Sequence, residues 1–108
     1  MCRKAHGAGF VTWLGINDEQ LVVTLGGHLL KHFESSPGAQ RSFCSNCGSP
    51  LFFRAPRWPG EVHVAAAHIS GQLDQQPTAH AFVSHKASWI SICDGLPQRG
   101  GVTGIEVL

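Results

Sequence analysis

Cys44 and Cys47 are the residues of this chain best placed to do chemistry. They sit in Phe43-Cys44-Ser45-Asn46-Cys47-Gly48, a C-x-x-C-G knuckle. Two intervening residues let both sulfurs point at one ion from a tight turn, and the following glycine permits the left-handed backbone that closes it. The N–H groups of such a turn can hydrogen-bond the thiolates and offset part of their charge. The alternative is a pair of reduced cysteines packed in a turn without metal. A redox pair would be expected at the start of a helix after a βαβ-type strand. Here Gly48 and Pro50 follow, and then an apolar, strand-like run, so metal binding is the expected role.

Structural zinc takes four ligands in a tetrahedron. The other cysteines, Cys2 and Cys93, form no second close pair. Cys2 precedes Arg3-Lys4, a positive neighbourhood that lowers a thiol pKa and suits a ligand or a nucleophile; the other reading is a terminal cysteine with no role. Cys93 follows an apolar run and reads as a small buried or edge residue. No histidine stands at a two-ligand spacing from the knuckle. His63 and His68 would fall on opposite faces of a regular strand, and His28 and His32 lie too far apart along one for joint ligation. Trp58 reads either as a lid facing a substrate or as a plug at the edge of the core.

The elements that must position these residues are mostly short strands with turn punctuation. Phe10–Leu14 and Leu21–Leu25 are rich in β-branched and aromatic residues, and Asn17-Asp18-Glu19 can turn between them. His28–Phe33 leads to the turn cluster Ser35-Ser36-Pro37-Gly38-Ala39, and Arg41-Ser42-Phe43 then delivers the knuckle. Leu51–Arg54 reads as a buried strand, and the two prolines of Ala55–Gly60 make a loop. Glu61–Ala67 resumes an extended pattern with Val62, Val64 and Ala66 on one face. Ala79–Val83 and Trp89–Ile92 are the remaining strand candidates, and the only helical candidate lies within Cys2–Ala8. The expected fold is all-β with very little helix, as one domain over residues 1–97 and a glycine-rich tail over 98–108.

The 108 residues carry a formal net charge of +1 with no basic run, which offers nucleic acid no electrostatic footprint. No apolar run approaches the length that spans a bilayer, and no apolar stretch follows Arg3 and Lys4 to make a secretory signal. A cytoplasmic location with reduced thiols is the resulting expectation.

Taken in order, Cys2-Arg3-Lys4, Gly7-Ala8, Trp13, Gly26, Ser35-Ser36-Pro37-Gly38, Phe43-Cys44 with Cys47-Gly48, Pro50-Leu51, Trp89 and Asp94-Gly95-Leu96-Pro97 resemble the glutathione-dependent formaldehyde-activating enzyme family, also named for centromere protein V. The resemblance implies the Mss4-like fold, small sheets folded over one another and stapled by zinc. It also implies two zinc sites. In the structural one, an N-terminal C-x-C pair joins a later C-x-x-C, which matches Cys44 and Cys47. The other, proposed as catalytic, is a C-x-C-x-x-C motif with an open position, and Cys2 matches its last cysteine. The C-x-C pair and the first two cysteines of the catalytic motif have no counterpart here, so the chain reads as a member lacking its first strands, with impaired activity.

Two functions follow. The first is a zinc-dependent carbon–sulfur lyase type of enzyme acting on small thiol adducts of the glutathione–formaldehyde kind, with Arg3 and Lys4 either holding a substrate carboxylate or serving as solvated surface charge. The second is a non-catalytic zinc-binding interaction module, because fold does not dictate function. A homodimer in which two knuckles supply four sulfurs to one zinc is the expected assembly, since strand edges left open tend to pair with another chain. Neither nucleic acid nor membrane is expected as a partner.

Overall fold

The computed structural model describes residues 2–108. The chain divides into two compact units, Thr12–Gly71 and a second formed by Met1–Val11 with Gln72–Leu108.

The first unit is a five-stranded antiparallel sheet. Its strands are β1 (Trp13–Asn17), β2 (Leu30–Ser36), β3 (Ala39–Cys44), β4 (Pro50–Arg54) and β5 (Glu61–Ala65), in the spatial order β1-β5-β4-β3-β2. Short connections turn β2 through β5 into a meander, and β1 adds across β5 with Gly15 opposite His63 and Ile16 opposite Val62. The turn at Pro37-Gly38 closes the β2–β3 hairpin, as its residue types require. Alternation then sorts the side chains. Val62, Val64 and Phe52 form the buried cluster, against which Ile16, Leu21, Leu30, Leu51 and Ile69 pack. Val62 is wholly buried. Ser42 is the buried polar side chain on this face, and its hydroxyl is satisfied by a 2.7 Å hydrogen bond to His32 Nδ1.

The second unit holds α1 (Cys2–His6) and a two-stranded sheet of β6 (Arg99–Gly100) and β7 (Glu106–Val107). His80 makes an isolated parallel bridge to Gln98, with its N–H donating to the Pro97 carbonyl and its own carbonyl accepting from Arg99 N–H, both at 2.8 Å. Phe82 takes a positive φ of 55°, and its N–H donates to the Gly104 carbonyl at 2.8 Å. A side chain at Gly104 would collide with the Phe82 ring, so the glycine-rich end is shaped to this aromatic.

The fold is therefore the expected all-β one, with one short α-helix among the described residues. Two strand expectations differ in extent: of Phe10–Leu14 only Trp13 and Leu14 lie in β1, and Ala66 and Ala67 leave β5 for a 3-10 turn over Ala66–His68. Three more give no strand of their own. Leu21–Leu25 forms no strand: Leu21 closes a 3-10 turn over Asp18–Gln20 and packs on the core, while Val22 and Leu25 point into solvent at 71% and 92% exposure. Ala79–Val83 contributes only the His80 bridge. Trp89–Ile92 is irregular, with Ile90 N–H donating back to the Ala87 carbonyl at 3.1 Å and Lys86 Nζ to the Ile90 carbonyl at 2.9 Å. β-Propensity describes fit to a pleated, half-buried surface, and these segments have no ladder partner to provide one.

Candidate functional site

The knuckle is built by the β3–β4 connection. Strand β3 ends at Cys44 and β4 begins at Pro50. Gly48 N–H donates to the Cys44 carbonyl at 2.7 Å, and Cys44 N–H to the Ser49 carbonyl at 3.0 Å. Ser45 N–H is held by the Leu29 carbonyl at 2.7 Å, which anchors the turn against the start of β2. Gly48 adopts φ +79°, the left-handed conformation that the C-x-x-C-G pattern calls for.

This turn brings the two thiols together. Cys47 Sγ lies 3.2 Å from Ser49 Oγ. The Ser49 hydroxyl, the Ser49 backbone amide and the Cys44 thiol, in that order of weight, hold the Cys47 thiol below its ordinary pKa. All three stabilise the thiolate, the form a metal takes. Cys44 is half-buried and Cys47 exposed. Two soft, adjacent sulfurs, with the Cys47 thiolate favoured by its surroundings, fit two of the four positions around structural zinc. Among the described residues no group of three or more His, Cys, Asp or Glu side chains gathers around a common point, so the fit is to half a coordination sphere. Cys2 lies on α1 in the other unit, and Cys93 lies there too, exposed beside Asp94. Cys2 supplies one sulfur, where a catalytic zinc site takes three protein ligands.

The opposite face of the sheet carries a second cluster that sequence spacing conceals. Register sets Phe53 opposite His63 and Arg41 opposite Phe53, and β1 places Trp13 on the same side. Trp58, from the Pro-rich loop, lies over His63 with ring centroids 4.7 Å apart and meets Phe53 edge-on at 6.2 Å. It therefore packs on the face away from the buried cluster. Guanidinium groups stack on this surface, Arg41 over Phe53 at 5.2 Å and Arg57 over Trp58 at 5.5 Å. Desolvation under these rings pushes the His63 imidazole pKa down, against a weaker upward pull from Glu61. The sequence signal for this cluster is the alternation within Glu61–Ala67, which fixes the face of His63 once β4 is paired.

In the second unit, His80 Nε2 donates to both carboxylate oxygens of Asp94, at 3.0 and 2.8 Å. Asp94 also accepts from Leu96 N–H at 3.0 Å, and these bonds lower its pKa, the Leu96 amide most and His80 next. The pair orders the Asp94-Gly95-Leu96-Pro97 turn.

With the geometry in hand, comparison with known sequences decides the family. The sequence model described as "Glutathione-dependent formaldehyde-activating enzyme" matches residues 1–85. The chain belongs to the glutathione-dependent formaldehyde-activating enzyme family. The family match takes in α1, the whole five-stranded sheet and the knuckle, and ends before Trp89 and the Asp94 turn. A curated Halomonas elongata protein, provisionally named a glutathione-dependent formaldehyde-activating enzyme, is 35% identical over 99 residues. That alignment covers 85% of this family member and 62% of the relative, so the chain spans less than two thirds of the relative's length. No solved structure gives a significant match.

Proposed function

We propose that this chain acts on small thiol adducts of the glutathione–formaldehyde kind, as a carbon–sulfur lyase type of enzyme dependent on zinc. The observation that supports the reading most is the coincidence of the family match with a turn that pairs the Cys44 and Cys47 thiols. In the condensing direction the glutathione sulfur adds to the carbonyl carbon of formaldehyde, forming the carbon–sulfur bond. The thiol gives up its proton as sulfur adds, and the carbonyl π electrons move to oxygen, which takes up one proton to give the S-hydroxymethyl adduct; the lyase direction reverses each change. Cys44 and Cys47 would hold a structural zinc as two of its ligands, and Cys2 is the family-motif candidate for a ligand at the second site. Zinc at such sites supplies folding energy or Lewis acidity.

Two sulfurs per knuckle make a second copy of the chain the natural source of the other two. Exchange of labelled formaldehyde between free and glutathione-bound pools, followed by NMR, tests the reading. The expected result is slow exchange in the isolated chain that rises with zinc loading and with dimer formation. No acceleration at any zinc or protein concentration would contradict it. One observation favours the alternative of a non-catalytic zinc-binding module: the described thiols gather only as a pair. The same experiment separates the two, since a module binds zinc without accelerating exchange.

A further inference from the structure

Arg3, Lys4, Gly7, Ala8, Gly9 and Trp89 line a shallow, open cleft of about 260 Å³ within the second unit. Its charged lining is entirely cationic, Arg3 and Lys4, and the rest is Gly7, Ala8, Gly9 and the Trp89 indole. Arg3 is oriented by one Nη2 bond to the His85 carbonyl at 3.3 Å, which leaves most of its five donors available. Lys4 has no ion-pair or hydrogen-bond partner among the described residues. Trp89 is 71% exposed, an unusual placement for the largest apolar side chain, and it forms the cleft wall beside these cations. Gly9 is required for that wall: a Cβ there would stand 2.7 Å from Ile90 Cδ1 and 3.1 Å from the Trp89 ring.

We propose that this cleft is an anion subsite that takes a carboxylate-bearing end of the peptide thiol substrate. The proposal rests on the functional reading above and adds the residues that would recognise the substrate away from its sulfur. A fork-shaped guanidinium beside an ammonium matches a carboxylate, the guanidinium in bidentate fashion. The indole and the side-chain-poor Gly7-Ala8-Gly9 backbone fit the short apolar stem of a terminal glycyl group. The volume lies under the roughly 300 Å³ at which pockets begin to enclose whole drug-sized ligands, so the cleft holds one end of a tripeptide rather than all of it. Arg3 and Lys4 act here as positioning and specificity residues.

The test uses S-methylglutathione, whose capped sulfur removes thiol coordination from the measurement, and its diethyl ester, which lacks the carboxylate charges. Binding to the full chain is followed by calorimetry and by the Trp89 indole N–H resonance. The wild-type chain is expected to bind S-methylglutathione with a shift of that resonance. The double variant R3Q/K4Q should bind about tenfold or more weakly, as loss of charge-assisted hydrogen bonds predicts. Esterification should weaken wild-type binding to a similar extent and add little to the loss in R3Q/K4Q. Equal affinity in R3Q/K4Q, with its circular dichroism unchanged, overturns the subsite and leaves the functional reading standing. So does an ester effect of full size in the variant. Failure of the wild-type chain to bind either glutathione or S-methylglutathione overturns both. Gly9→Ala, which displaces Trp89 without altering charge, should lose the resonance shift and part of the affinity.

Discussion

Cys47 Sγ and Ser49 Oγ stand 3.2 Å apart, so the hydroxyl two residues beyond the second cysteine stabilises its thiolate. Ser49 is the largest cause of the lowered Cys47 pKa, through its side chain and then its amide. Ser49→Ala should therefore raise that pKa. In metal-free protein, the pH profile of Cys47 alkylation by iodoacetamide, read by mass spectrometry, should move to higher pH. An unmoved profile would assign the shift to the backbone and Cys44 alone.

Gly48 tests the shape of the same turn. Its φ of +79° is left-handed, and a Cβ there would meet nothing within 4 Å. The cost of Gly48→Ala is then backbone strain alone, roughly 1–2 kcal/mol. Urea unfolding should show that loss, and Gly48→Asn should recover part of it.

Val62 is wholly buried in the cluster it forms with Phe52 and Val64. Val62→Ala should cost about 2 kcal/mol, from lost apolar burial and the cavity left behind. The same urea measurement checks it, and a loss below about 0.5 kcal/mol would mean the cluster is not the core of the sheet.

His63 supplies a pH signature. Burial lowers its folded pKa, while in the unfolded chain it titrates near 6.5. As pH falls through about 6.5 the unfolded state takes up the proton first, so stability declines toward acid. His63→Phe keeps an aromatic partner for Trp58 and removes the titration. The slope of stability against pH between about 5 and 7 should be shallower in this variant than in the wild-type chain. An identical slope would refute the assignment.

The sheet's local parts were legible in the sequence because their signals are local. The Ser35–Ala39 turn, the alternation of Glu61–Ala67 and the C-x-x-C-G spacing each prescribe their own geometry, and β2 through β5 and the knuckle follow them, with the alternation realised as far as Ala65. Leu21–Leu25 looked equally strand-like but has no neighbouring strand to pair with, so propensity did not decide its conformation. The His63, Trp58 and Phe53 cluster depends on register between β4 and β5, and the His80–Asp94 pair spans 14 residues of irregular chain. No spacing rule reaches either. The cleft at Arg3, Lys4 and Trp89 joins residues from opposite ends of the chain: the sequence offers Arg3 and Lys4 to a substrate carboxylate or to solvent, and no spacing brings Trp89 to them.

The proposed function stands on zinc held by the Cys44–Cys47 knuckle. Elemental analysis alongside native mass spectrometry, on the purified chain and on C44S/C47S, tests it most directly. Zinc is expected in the wild-type chain, at about one ion per two chains where two knuckles share it in a dimer, and none in the double variant. A metal-free wild-type chain, or zinc retained undiminished in C44S/C47S, would contradict it.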